Sequence, residues 1–308
     1  MFYEPYFLTR YSTNEVSGIA GELNKKGYYT SFFHGAPNGS MGFEAFAKTS
    51  GFTDYFGLDE YGNDKDYDGT WSIWDEEFLQ FFGEKINGFK QPFMTAVFTA
   101  TSHNPFVVPE KYNQKFPEEG GHPIYKCIRY TDYSLKKFFE NASKQPWYKN
   151  TLFVITADHT NALTKKEYLN DPGGFKVPII FYHYGSNLKG HVNDIAQQID
   201  IMPTILGYLN YDKPYLAFGN DLLDPNYKEH YAINYFNQIF QYFKGDYFLQ
   251  FDGQKTTAVY NLKTDPFLQN NLIGKFSEQA AYEKQIKAIA QQYVVRMLNN
   301  KLVVTPKD

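Results

Sequence analysis

The chain has 308 residues, a net charge of -4 and a single cysteine, Cys127. One cysteine excludes an internal disulfide and a cysteine-based zinc cluster, and the charge excludes the basic footprint of a nucleic-acid binder. Hydrophobic residues make up 43% of the sequence and aromatic residues 19%, enough for a core rich in rings, with tyrosine hydroxyls left at water or on a partner.

The first dozen residues have no period and read as a segment leaving something else. Thr13-Asn14 could cap a helix over residues 15–26, ended by Gly27. Residues 28–33, rich in aromatics and bounded by glycines, predict a strand. Residues 35–72 read as a loop and 73–86 as a helix. The continuous apolar run 93–101 predicts a buried strand. It is far shorter than the roughly 20 residues a membrane span needs, no signal peptide is recognisable, and the chain by itself reads as soluble. Helical spacing covers 125–143. Residues 151–157 and 177–182 predict two more buried strands, and 195–209 a helix in which Pro203 must start a turn or a kink. The pattern then changes: 230–236, 242–251 and 256–263 look like antiparallel strands, with Asp252-Gly253 as a hairpin signal, before a last helix over 278–299. Strand–helix alternation predicts an α/β fold, a mostly parallel sheet flanked by helices, followed by a small antiparallel sheet and a final helix. The division falls near residue 225: a core over 1–225 and a C-terminal subdomain over 226–308.

Three of the predicted buried strands run into polar residues: His34-Gly35, Ser102-His103 and Asp158-His159. Ligands of open α/β sheets bind outside the carboxyl ends of the strands, so parallel neighbours would converge three histidines and an aspartate on one edge. Carboxylate oxygen and imidazole nitrogen suit divalent ions such as Mn²⁺ or Zn²⁺. Taken alone, an Asp-His pair reads rather as a helix cap beside a packed histidine, because a zinc site needs three or four ligands.

The surrounding segments add to this. TLFVITADHTN (151–161) resembles the metal-binding segment of the lipoteichoic acid synthase-like sulfatases, a family of the alkaline phosphatase superfamily. GYYTSFFHG (27–35) and FTATSHNPF (98–106) resemble that family's two histidine segments. VPIIFY (177–182), QQIDIMPTILGYL (197–209) and VYNLKTDPFLQNNLI (259–273) resemble its later motifs, in the same order. The resemblance implies an alkaline phosphatase/sulfatase-like fold and metal-dependent phosphoryl or sulfuryl transfer. A Thr or Ser nucleophile would form a covalent intermediate that water or an alcohol resolves. It implies Asp158 and His159 as metal ligands and His34 and His103 as binders of the oxyanion or of substrate hydroxyls. It also implies a nucleophile and a first carboxylate ligand upstream of this sequence, where no equivalent is found. The catalytic residue is therefore expected outside these residues, and the alternative is a catalytically inactive, anion-binding fragment. The implied substrate is an anionic phosphodiester or sulfate ester. The implied setting is the outer face of a bacterial membrane, reached through upstream segments. Loss of those segments would expose sheet surface and favour self-association. Where the lipoteichoic acid synthases carry acidic, Trp and Arg residues after the first histidine, this chain has HGAPNGSMGFE, which argues against phosphatidylglycerol.

Asp64, Asp66, Asp68, Gly69 and Asp75 match the D-x-D-x-D-G spacing of a calcium loop with an acid at the twelfth place. The twelfth residue is Asp rather than Glu and LDEYGN before it is not helical, so a solvated acidic loop is the favoured reading and Ca²⁺ at a second site the alternative. His122, His183, His191 and His230 have no partner at a recognisable spacing.

Overall fold

The computed structural model describes residues 9–162 and 164–304; the opening segment, up to residue 8, lies outside the described residues. The elements run α1 (Ile19–Asn24), β1 (Tyr29–His34), α2 (Phe43–Thr49), β2 (Asp54–Phe56), α3 (Leu58–Tyr61), α4 (Asp75–Ile86), β3 (Phe93–Phe98), α5 (Ile124–Ala142), β4 (Leu152–Thr156), α6 (Asp171–Gly174), β5 (Ile179–His183) and α7 (Ile201–Tyr208). Four strands follow, β6 (Tyr231–Phe236), β7 (Ile239–Lys244), β8 (Tyr247–Phe251) and β9 (Thr256–Asn261), and then α8 (Gln279–Leu298).

A parallel sheet in the order β2-β1-β3 carries the first two histidine segments. Its core forms around Phe33, which is fully buried. Phe56 stacks on that ring at 4.4 Å and Phe82 meets it edge-on at 4.9 Å, contacts that add to the burial of their area. Helix α4 supplies Phe78, Leu79, Phe82 and Ile86 to this core, one face of a 3.6-residue repeat. Its first turn holds Asp75, Glu76 and Glu77 and its last turn Lys85, the polarity that suits a helix dipole. Phe82 then stacks on Phe138 of α5 at 5.5 Å.

The second sheet, β4-β5, is antiparallel. The third is an antiparallel meander, β6-β7-β8-β9, whose inner face packs on α8 around Leu249, Val259 and Ile286, all fully buried.

Several elements differ from expectation. Residues 35–72 hold α2, β2 and α3 rather than one loop. β2 is only three residues long and is recruited by pairing with β1, so no local period announces it. Residues 242–251 are two strands, because Gly245 turns the chain at φ +57. The helix expected over 15–26 is confined to Ile19–Asn24, and Asn14 reaches instead to the carbonyl of Met297 at 2.6 Å. The helix expected over 195–209 starts at Ile201 after a short turn, so Pro203 falls in its first turn, where no intrahelical N–H bond is lost. Asp252-Gly253 does close a hairpin: Asp252 Oδ1 accepts the amides of Gln254 and Lys255, each at 2.8 Å.

Candidate active site

A cleft of about 740 Å³ opens at the carboxyl ends of β1, β3 and β4, and His34, His103, Asp158 and His159 all line it. β1 and β3 deliver the two histidines as parallel neighbours, with His34 in register with Phe98. β4 arrives differently. Among the described residues it pairs only with β5, antiparallel, so the expected run of three parallel neighbours is not what gathers the site.

Asp158 and His159 lie where the chain leaves β4, both exposed. Gln198 holds this turn: its side-chain amide donates to the carbonyls of Ala157 and Asp158, each at 2.7 Å. Next to it Gln197 accepts the amide of Ile233 at 3.2 Å, tying the turn to the C-terminal sheet. Neither glutamine stood out in the sequence, because a side chain that serves a distant backbone has no local signature. Asp158 Oδ1 accepts the His159 amide at 2.8 Å. The His159 ring places Nδ1 2.7 Å from the Thr160 carbonyl. A carbonyl only accepts, so Nδ1 is the donor of this bond, and Nε2 is turned toward Asp158. That nitrogen stands 3.3 Å from Asp158 Oδ2. Two donors sharing one ion at about 2.1 Å, at a tetrahedral angle, would be about 3.4 Å apart. The pair therefore fits part of a divalent-metal shell. Among the described residues no group of three or more His, Cys, Asp or Glu gathers to complete one.

His34 is buried, with Phe43 and Phe98 against its ring at 4.4 and 5.3 Å. Burial pulls its pKa down to about 4, because an apolar wall disfavours the imidazolium. Tyr55, whose hydroxyl lies 3.4 Å from His34 Nδ1, is pushed up to about 12 by burial and then by Glu44 and Glu60. Both groups are neutral at physiological pH. His103 is exposed, and its Nδ1 donates to the Asn104 carbonyl at 3.1 Å, leaving Nε2 free.

The acidic loop is not assembled around a cation. Asp68 Oδ1 accepts the amides of Thr70, Trp71 and Ser72, and Asp66 accepts from Tyr61 and Asn63. Asp75, at the twelfth place, is buried with its carboxylate committed to Ala100, Thr101 and Thr131. Asp64 is exposed. Of the other histidines, His183 is held between the Tyr208 hydroxyl at 2.6 Å and the Lys149 carbonyl at 3.1 Å, away from the cleft lining.

The Sulfatase family model matches residues 2–211. The chain belongs to the sulfatase family. The curated relatives it matches include lipoteichoic acid synthases and a lipoteichoic acid synthase-like protein. The chain is 26% identical over 237 residues to "Lipoteichoic acid synthase-like YvgJ" of Bacillus subtilis, a match covering 70% of this chain and 38% of that protein. It is 24% identical over 294 residues to lipoteichoic acid synthase 2 of the same organism, covering 89% of this chain and 43% of the relative. The chain thus spans less than half the length of these curated relatives. Its fold is that of an alkaline phosphatase superfamily protein from Vibrio parahaemolyticus, with a TM-score of 0.83 at 23% identity over 98% of this chain and 73% of the other. The lipoteichoic acid synthase LtaP of Listeria monocytogenes aligns with a TM-score of 0.80 at 19% identity, over 98% and 78% of the two chains.

Proposed function

We propose that this sulfatase-family chain forms the substrate-binding wall and part of the metal shell of a phosphoryl- or sulfuryl-transfer site. In the intact protein the reaction would be phosphoglycerol transfer, phosphodiester hydrolysis or sulfate-ester hydrolysis. The carrying observation is one cleft whose lining includes Asp158, His159, His34 and His103 together.

In this reading Asp158 and His159 hold a divalent ion, Mn²⁺ or Zn²⁺, through Oδ2 and Nε2. Bound there, the ion would supply Lewis-acid activation of a hydroxyl and charge neutralisation at the ester oxygens. The chain's own residues do the rest. Gln198 fixes the backbone of the Asp-His turn. The bond from His159 to the Thr160 carbonyl keeps the ring in the tautomer a ligand needs. His34, uncharged and buried, offers a hydrogen bond to an ester oxygen without inviting a second ion. His103 offers Nε2 to the same cleft. Aromatic side chains Phe43, Trp71 and Phe98 line the same cleft and exclude water from the anion, which strengthens each hydrogen bond it accepts.

Two ligands are fewer than the three a catalytic zinc centre takes from protein. The family resemblance implies that the remaining ligand and the nucleophile come from an upstream segment, on a protein held at the outer face of a bacterial membrane. The same donor count favours the second reading for this chain by itself: it binds an anion and turns nothing over.

The test uses this chain and a version extended upstream, each assayed with manganese on a chromogenic phosphodiester and a chromogenic sulfate ester. The extended protein should turn over one of them, and Asp158→Ala should abolish that turnover while the thermal melt stays put. Unchanged turnover in the Asp158→Ala protein, or metal-dependent turnover by the short chain, would overturn the assignment.

A further inference from the structure

The segment between α3 and α4 was singled out by its aspartates, yet its contacts point to a different task. Asp75 is the first residue of α4, and its carboxylate is buried. Oδ1 accepts the amides of Ala100 and Thr101, both at 3.1 Å, and Oδ2 accepts the Thr131 hydroxyl at 2.5 Å. The Asp75 amide donates in turn to Thr101 Oγ1 at 3.1 Å. The two peptide groups just before Ser102-His103 are thus fastened to the start of a helix. A buried carboxylate is costly to place unless such bonds compensate it, and here it receives three.

Beyond the histidine the same segment makes a second hold. The Trp71 ring lies 4.2 Å from the His103 ring, and its Nε1 donates to the Asn104 carbonyl, the one that also accepts from His103 Nδ1. Trp71 is itself set by the turn closed on Asp68 Oδ1, with amides at 2.7, 2.7 and 3.2 Å. A third hold reaches the other histidine strand. The Ile73 amide donates to the Gly35 carbonyl at 2.9 Å, one residue after His34. A Cβ on Gly35 would come within 3.3 Å of Ile73, so the two backbones lie close together.

We propose that residues 68–75 form a bracket that fixes the position of His103 relative to His34 in the cleft, with Asp75 and Trp71 as its positioning residues. Asp75 fixes the approach to the loop, Trp71 fixes the ring, and Ile73 joins both to the exit of β1. The aspartates of the segment serve backbone amides rather than a cation. The inference rests on the reading of His34 and His103 as anion-binding groups only for its consequence in binding; the bracket itself is a statement about the position of His103.

The experiment follows the histidine Cε1–H resonances of the protein labelled with ¹³C-histidine, without and with sulfate as the probe. Trp71→Leu should move the His103 resonance through loss of the neighbouring ring, leave that of His34 in place and leave the melting temperature nearly unchanged. Asp75→Asn should broaden or shift His103 and leave His34 in place. Should that variant fail to fold, Thr131→Val, which removes one bond to the carboxylate, takes its place. In both bracket variants sulfate should act on His103 about tenfold more weakly, the loss expected for one misplaced hydrogen bond to a charged group, while the His34 response persists. A His103 resonance and sulfate response as in the parent protein, in Trp71→Leu and in the Asp75 or Thr131 variant alike, would overturn the bracket. If sulfate moves no histidine in the parent protein, the anion-site reading fails, while the sulfate-free shift of His103 still decides the bracket.

Discussion

His34 makes a quantitative prediction. A histidine with an unfolded value near 6.5 and a folded value near 4 takes up its proton in the unfolded chain first. Between those two values the unfolded state binds more protons than the folded one, so stability falls as the pH falls. Above about pH 6.5 the group has no effect on the slope, and below about pH 4 both states are protonated and the loss is complete. The depression corresponds to about 3 kcal/mol. Solvent screening takes little from it, because the side chain is 4% exposed. Carboxylates titrate in the same window, so the comparison is with His34→Gln, which is neutral throughout. Urea unfolding at a series of pH values from 7 to 4 should show the parent protein losing about 3 kcal/mol more than the variant across that range. Equal losses in the two proteins, or a His34 resonance titrating near 6.5, would refute the argument that Phe43, Phe98 and burial hold this imidazole neutral.

Two further outcomes follow from the geometry. Millimolar Ca²⁺ should leave the melting temperature unchanged, since a ligand stabilises only by binding the folded state and the Asp68 and Asp75 carboxylates are already bonded; a rise that Asp68→Asn removes would restore a calcium loop. The chain should also self-associate through its sheets. β3 is half-exposed along its whole length, and Ile180 and Tyr182 on β5 are exposed, a surface that pairs or packs readily. Sedimentation equilibrium should show mass rising with concentration and Ile180→Lys reducing the effect, whereas a monomer at all concentrations would contradict it.

Strand ends were legible because an apolar run terminates visibly. The runs before His34 and Asp158-His159 end within a residue of a strand end, whereas β3 stops at Phe98, short of the run expected to reach 101, and β3 and β4 are partly exposed rather than buried; the cleft forms at those ends. The hairpin at Asp252 and the long helices α5 and α8 were legible for a similar reason: turn chemistry and helical period act within a few residues. The interior of 35–72 was not, since β2 exists through its partner β1, and short helices beside it have too few residues to show a period.

Residue types and their order along the chain determined which groups could do chemistry here, and the family to which they belong. Position was decided by tertiary structure. It set the bond of Gln198 to the Asp-His turn, the neutral state of His34 between two rings, and the turn of Asp75 from an apparent calcium ligand into an anchor for the loop of His103. Each depends on groups far apart in sequence. Asp75 and Thr131 are 56 residues apart along the chain, and Gln198 and Asp158 are 40 apart. A carboxylate or an amide reads the same in sequence whether it meets a metal, a backbone N–H or water. Only the packing of the chain decides which of these it finds.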